Sequence, residues 1–184
     1  TESEYDSAYK KLLELIREKQ DHVFCGLVGL RYIFHVLLEK GDGDLALKMI
    51  TRPDAPSYGS MIARGATTLC ESLEQSTFST SENHHFFGDI INLFISKFAG
   101  IQINPNLKNK NEFLIRPCFV PSLDFAEASY VTELGEVKTR WEKQNDEYII
   151  TVNIPDGICG NIVINDRAQP LPAGESIFRH LLKS

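Results

Sequence analysis

The sequence predicts an α + β protein in two parts, a helical part followed by an antiparallel β-sandwich. Three observations predict it. Apolar residues recur at helical spacing over most of the chain up to Ala99. After Gly100 the pattern changes to short stretches in which apolar and polar residues alternate. Those stretches are separated by turn-forming groups, Leu134-Gly135, Gln144-Asn145-Asp146 and Pro155-Asp156-Gly157. The division is set at residues 1–101 and 102–184.

Residues 3–20 place Tyr5, Ala8, Tyr9, Leu12, Leu13 and Ile16 on one face, with Lys10, Lys11, Glu14, Arg17 and Glu18 opposite, as in an amphipathic helix. Ser3 followed by Asp6 suits its start, because a short polar side chain can take the first free amides. Residues 30–40 are apolar nearly all round, which predicts a buried helix, and Gly41 suits its left-handed stop. Asp44 is the expected cap of a short third helix through Ile50, and Pro53 discourages its continuation. A fourth helix is expected over residues 57–64, closed by Gly65. Residues 66–83 read as a polar loop. The longest helix is expected over residues 84–99, with Phe87, Ile90, Ile91, Phe94, Ile95 and Phe98 as its buried stripe.

Beyond Gly100, Asn104-Pro105-Asn106 reads as a turn, and strands are expected at 112–116, 127–133, 136–143, 147–154 and 158–164. Ile150, Val152 and Ile154 fall on one face of their strand, Thr151 and Asn153 on the other. Short strands broken by tight turns predict a sandwich, and Trp141 and Tyr148 are read as its packing rather than as a sugar platform.

Composition narrows the function classes. The 184 residues are 42% apolar and 24% charged, with a net charge of -6, an ordinary globular balance. Lys and Arg are scattered, so no basic stripe is present to displace phosphate counterions, and nucleic acid is not an expected partner. No apolar run approaches the roughly 18 residues of a membrane span. A neutral ligand such as a sugar fits this balance. The cysteines at 25, 70, 118 and 159 have no zinc-ribbon spacing and read as buried free thiols. The chain starts at Thr1 rather than Met and has no signal-peptide pattern, so it is read as a processed or truncated product. The compartment stays open between periplasmic or secreted and cytoplasmic.

Three segments are candidates for function. Gly65 to Glu71 (Gly-Ala-Thr-Thr-Leu-Cys-Glu) sets a carboxylate on a loop after a helix stop, where a rigid loop can aim it into a cleft. Glycoside hydrolysis needs two carboxyl groups. On its residues alone Glu71 is one loop glutamate among many, and nearby Glu74 reads as a solvated competitor. Ser81 to Gly88 places His84 and His85 at a helix start, where free amides favour electronegative ligand groups. A histidine there can hydrogen-bond a sugar hydroxyl or merely satisfy a local carbonyl. Adjacent histidines diverge on a helix, so a two-histidine metal clamp is disfavoured. His22 to Gly29 sets glycines around a short apolar stretch, which suits a pocket-lining loop or a packing turn. Gly41-Asp42-Gly43-Asp44 lacks the remaining ligands of a calcium loop, Gly59-Ser60 lacks the nucleophile elbow, and no phosphate-binding loop is present.

Taken in order, these segments resemble glycoside hydrolase family 78, the bacterial α-L-rhamnosidases. The resemblance runs from about His22 into the sandwich strands. It is carried by His22 with Gly26 and Gly29, by Pro56 to Met61, by Gly65 to Glu71, by Ser81, Asn83, His84 and Gly88, by Ala99-Gly100-Ile101 and by Ile115-Arg116-Pro117. It implies the C-terminal helices of an (α/α)6 barrel, a six-hairpin glycosidase, followed by the sandwich. It implies that Glu71 matches the general base of an inverting mechanism and that His84 matches a histidine contacting rhamnose. It implies a rhamnose-containing glycan or glycoside as partner, an upstream part of the same protein holding the general acid, and neither metal nor organic cofactor. The chain departs from the pattern at Cys70, where the family has tryptophan, at Ser72-Leu73, where it has an Arg-Trp pair, and in a short loop between Glu71 and Ser81. These changes deplete the aromatic walls that stack on sugar faces.

The expected function is therefore the C-terminal portion of an inverting α-L-rhamnosidase-like hydrolase, inactive as this chain alone. Its uncovered helix faces leave a homodimer open. The alternative is a non-catalytic fragment or degenerate homologue that binds a carbohydrate or partner, with the sandwich as a brace for the barrel.

Overall fold

The computed structural model describes residues 2–74, 81–103 and 111–181. The expected turn at 104–106 and residues 75–80 of the polar loop lie outside them. The chain forms two compact units, Thr1–Asp89 and Ile90–Ser184.

The first unit contains α1 (Glu2–Glu18), α2 (Leu27–Glu39), α3 (Gly43–Thr51) and α4 (Tyr58–Ala63). Its core gathers Ile16, Leu30, Phe34, Leu37, Leu38, Met49, Ile50, Tyr58, Met61 and Phe87. α2 is not buried all round as its composition predicts. Leu30, Phe34, Leu37 and Leu38 are buried, while Val28 and Tyr32 on its other side are 73% and 57% exposed. On α1 only Ile16 is buried, and Tyr5 is exposed.

The helix ends show local chemistry at work. Ser3 lies inside α1 rather than capping it, and Asp42, not Asp44, holds the cap position of α3. Asp42 accepts the Tyr9 hydroxyl instead of an amide. The cap of α4 is complete: Ser57 Oγ accepts the Ser60 amide at 2.9 Å and donates to Arg52 O at 2.6 Å, so a fully buried hydroxyl is satisfied. Gly41 and Gly65 both take positive φ after α2 and α4. In each case amides just past the stop return to carbonyls of the last turn, Asp42 to Leu37 at 2.8 Å and Ala66 to Met61 at 3.0 Å.

The run expected to be the longest helix is composite and shorter than α1. It is a 3₁₀ turn (His85–Gly88), then α5 (Asp89–Leu93), then a π-helical turn (Phe94–Phe98). Ile91 and Phe94 are exposed rather than part of its buried stripe.

The second unit has eight strands: β1 (Ile101–Ile103), β2 (Glu112–Ile115), β3 (Phe125–Thr132), β4 (Gly135–Gln144), β5 (Glu147–Ile154), β6 (Cys159–Ile164), β7 (Arg167–Leu171) and β8 (Gly174–Leu181). They form two four-stranded sheets ordered β1-β2-β6-β7 and β3-β4-β5-β8. Every pairing is antiparallel except β2 with β6, which is parallel, so the sandwich is not wholly antiparallel as expected. One core joins both sheets: Ile101, Phe113, Ile115 and Ile162 from the first, and Val137, Trp141, Ile150, Val152 and Ile154 from the second. Alternation in β5 follows the expected faces. Trp141 is fully buried and its Nε1 donates to Phe98 O at 2.6 Å. The indole thus brings its own polar atom into the core with a partner.

All four cysteines are free, and none is buried. Cys25 and Cys159 are exposed, and Cys70 and Cys118 are intermediate.

Candidate active site

The site lies in the first unit and is built from three loops. The first follows α1. Gln20 and Asp21 adopt left-handed φ angles of 56° and 59° and turn the chain. His22 is then clamped: its Nδ1 is 3.1 Å from Lys19 O and its Nε2 3.0 Å from Asp54 Oδ2. Arg52 grips the same carboxylate with two donors, Nε at 2.9 Å and a terminal nitrogen at 2.8 Å, and donates to Gln20 O at 2.9 Å. This fork, with His22 assisting, holds the Asp54 carboxyl well below the usual carboxylate range. The clamp fixes the entry to residues 23–27. Val23 points inward and is buried, whereas Phe24 is 63% exposed. Lys19 Nζ lies 4.0 Å from the Phe24 ring centroid, a cation–π contact that limits the ring's motion.

The second and third loops, residues 65–74 and 81–84, pair with each other. Thr68 Oγ1 donates to Glu82 O. The His84 amide donates to Leu69 O at 2.7 Å, and the Glu71 amide to Ser81 O at 2.8 Å. The Ser81 amide in turn donates to Glu71 Oε2 at 3.2 Å. One carboxylate oxygen of Glu71 is thereby anchored to backbone, and the other has no protein partner among the described residues.

His84 sits at the cap position of the 3₁₀ turn, with the Phe87 amide donating to its carbonyl at 3.2 Å. Its ring lies against Phe87 at 5.1 Å between centroids. Phe87 is itself held from behind: Tyr58 Oη donates to Phe87 O at 3.1 Å, and the two rings meet edge to face at 6.4 Å. Burial raises the Tyr58 phenol pKa well above its ordinary value, so it is a donor at any physiological pH.

These loops enclose an open cleft of about 520 Å³. Glu71 and His84 both line it, together with Phe24, Leu73, Glu74 and Phe87. Each of the three segments singled out in the sequence contributes. His85 does not line it and instead stacks on Phe86 at 4.5 Å. Cys70 is likewise absent from the lining, whereas Ser72 and Leu73 are in it, so one of the two motif departures falls on the cleft wall. The exposure of the Phe24 ring and the support of His22 by Asp54 carry no signal in the local sequence. Glu74, expected as a solvated competitor, shares the cleft.

The cleft sets a fixed carboxylate and an imidazole among apolar side chains, which suits a ligand with hydroxyl groups and one apolar face. Comparison with known proteins agrees with the class this suggests. Residues 1–98 match the bacterial alpha-L-rhamnosidase 6 hairpin glycosidase domain, and residues 110–177 match the bacterial alpha-L-rhamnosidase C-terminal domain. The matches thus place the chain in a family of glycosidases. The chain belongs to the bacterial α-L-rhamnosidase family.

Among relatives, an alpha-L-rhamnosidase of Alteromonas sp. (strain LOR) is 29% identical over 170 residues, which is 88% of this chain and 18% of the relative. One of Formosa agariphila is 27% identical over 176 residues, 93% of this chain and 18% of the relative. The chain therefore spans 18% of the length of these relatives. The structure of alpha-L-rhamnosidase from Dictyoglumus thermophilum superposes with a TM-score of 0.80 at 28% identity, over 95% of this chain and 23% of that one. That of Streptomyces avermitilis, complexed with L-rhamnose, shares the fold with a TM-score of 0.77 at 24% identity, over 97% and 19% respectively.

Proposed function

We propose that this chain is the C-terminal portion of an inverting α-L-rhamnosidase that hydrolyses terminal α-L-rhamnosides, with Glu71 as general base and His84 as a sugar contact. The reading is carried by one observation: Glu71 and His84 line the same cleft, on loops tied together through Leu69, Ser81 and Glu82.

In single displacement a base deprotonates water as it attacks the anomeric carbon, while an acid protonates the leaving oxygen. The two carboxyl groups stand about 6.5–9.5 Å apart to admit the water. Glu71 suits the base. Its Oε2 is fixed by the Ser81 amide, which leaves Oε1 to take the water's proton. His84 can donate to or accept from a sugar hydroxyl, and Phe24, Leu73 and Phe87 offer apolar surface to the ring's C–H face. The general acid belongs to the upstream part of the protein in this reading. The same part supplies the remaining hairpins of an (α/α)6 barrel. They would cover Val28 and Tyr32 of α2 and Ile62, which is 74% exposed; otherwise these faces favour a homodimer. The domain division at residues 101 and 102 belongs to this reading, with the sandwich bracing the barrel.

The test is Glu71→Gln in the complete protein. Turnover of a chromogenic α-L-rhamnoside should fall by about 10²–10⁴-fold, the usual contribution of a general base, with the melting curve unchanged. Proton NMR of the wild-type reaction should show β-L-rhamnose as first product. Wild-type turnover in the variant, or α-L-rhamnose as first product, would remove this mechanism.

A further inference from the structure

The sandwich contains a second concavity, about 730 Å³, that glycoside hydrolysis at Glu71 does not use. It opens along β7 and β8, each of which is an edge strand of its sheet. Residues directly opposite each other on paired strands share a face. Arg167 is opposite Ile164 and Gln169 opposite Ile162, and both isoleucines are buried in the core. The guanidinium of Arg167 and the amide of Gln169 therefore project on the core side of their sheet, where alternation would otherwise place apolar side chains. From the other sheet, Phe178 is opposite Ile150, which is also buried, so its ring faces the same inter-sheet space. All three line the cleft together with Asn165, Ile177 and Arg179; Ile177 and Arg179 alternate with Phe178 on the other face of β8, so the cleft reaches from the inter-sheet space around that edge strand.

The electrostatics single this place out. The protein carries a net charge of -6, yet two arginines and no carboxylate line this cleft. Arg179 is offset by its ion pair with Glu147. Arg167, which lines the cleft, has no ion-pair partner among the described residues. Asp166, its neighbour in sequence, is taken by Arg116 at 2.8 Å. A planar guanidinium with parallel N–H donors matches a carboxylate in two-point geometry. The Gln169 amide suits a hydroxyl group, the Asn165 amide nitrogen being held 3.1 Å from His180 Nδ1, and the Phe178 ring suits an apolar sugar face.

We propose that this inter-sheet cleft is a binding site for a sugar unit bearing a carboxylate, a uronate, with Arg167 receiving the acid group. The sandwich then holds an acidic glycan as well as bracing the helical part. The competing role for an inward-pointing charge on an edge strand is to prevent strand-to-strand association, and the two roles separate experimentally.

The experiment titrates the ¹⁵N-labelled 184-residue chain with sodium glucuronate, glucose or sodium sulfate at matched ionic strength. Glucuronate should cause saturable shifts confined to the amides of residues 164–169 and 176–180 and to the Arg167 side-chain Nε–H, and glucose should not. Arg167→Gln should weaken the glucuronate interaction by at least about tenfold, as expected for a lost charge-assisted pair. Arg167→Lys should retain part of it, because charge survives while the fork is lost. Gln169→Ala should weaken binding without touching the charge, which covers the case of an Arg167 variant that fails to fold. The proposal is overturned if glucuronate gives no saturable shift, if glucose shifts the same residues equally, or if sulfate binds as well as glucuronate. It is also overturned if Arg167→Gln binds normally and only aggregates. Activity of Glu71→Gln in the complete protein bears on the other cleft alone, so the two readings fail separately.

Discussion

Two carboxylates line the candidate cleft, and fixation distinguishes them. Glu71 is tied through its amide to Ser81 O and through Oε2 to the Ser81 amide. Among the described residues, the Glu74 amide donates to the nearby Ser72 Oγ, at 3.2 Å, and its carboxylate has no hydrogen bond. A base must hold its oxygen within reach of the water throughout the reaction. Glu74→Gln in the complete protein should therefore stay within a few-fold of wild-type kcat, measured beside Glu71→Gln; a loss as large as that of Glu71→Gln would exchange their roles. Within the sandwich, Thr139 is fully buried and its Oγ1 has no hydrogen-bond partner among the described residues. A buried hydroxyl without a partner costs about 1–3 kcal/mol. Thr139→Val, which keeps the β-branched shape, should raise stability by about 1 kcal/mol in urea unfolding. At this scale the sequence was only partly readable. Glu71 and His84 stood out through the order of motifs, since a loop glutamate or a lone histidine is too common to stand out by itself. The support of His22 by Asp54 and the exposure of Phe24 depend on contacts across the chain that no local pattern encodes.

The elements follow local rules where one interaction dominates. Gly59 in the first turn of α4 lies against the end of α3, and a Cβ there would stand 2.5 Å from Arg52 O and 2.6 Å from Thr51 O. Backbone atoms cannot swing aside, so Gly59→Ala should cost more than about 2 kcal/mol. Gly65→Ala, at a φ of +83° but facing open space, should cost only about 1 kcal/mol. Thermal unfolding followed by circular dichroism ranks the two; a reversed order would mean that conformation, not contact, governs these glycines. Helix stops at Gly41, Gly65 and Gly100 were legible because each needs the left-handed region. The composite helix differs from the single helix expected because its apolar positions also fit an α-helical stripe. The buried ones, Phe87, Ile90, Leu93 and Phe98, are spaced three, three and five apart, and the winding follows, tight first and wide last. β7 and β8 escaped notice because the edge strands carry Arg167, Gln169, Ser176 and His180 where a core strand shows apolar residues, and because Pro170 reads as a breaker. The parallel β2–β6 pair follows from topology, which alternation does not reveal.

At the scale of the whole molecule, the helices-then-sandwich order was legible from the change of period near Gly100, because periods of 3.6 and 2 are set by backbone geometry alone. On the proposed reading, the second carboxyl of the reaction comes from outside this chain. Inverting hydrolysis places acid and base on opposite sides of the glycosidic bond, and the described cleft offers Glu71 and Glu74 three residues apart on one loop. On the proposed reading, both would approach a sugar from one side. The 184-residue chain by itself should then hydrolyse a chromogenic α-L-rhamnoside no faster than buffer, although L-rhamnose can still shift the resonances of His84 and Phe24. The exposed apolar faces of α2 and α4 should bind a naphthalene sulfonate dye and lose that binding in the complete protein, where the upstream hairpins take their place. Adding the separately produced upstream part should restore turnover if the two parts reassemble, and that turnover should vanish with Glu71→Gln. Hydrolysis by the chain alone that disappears in Glu74→Gln would show that one wall carries both acid and base, and the division of the reaction between this chain and an upstream part would fall.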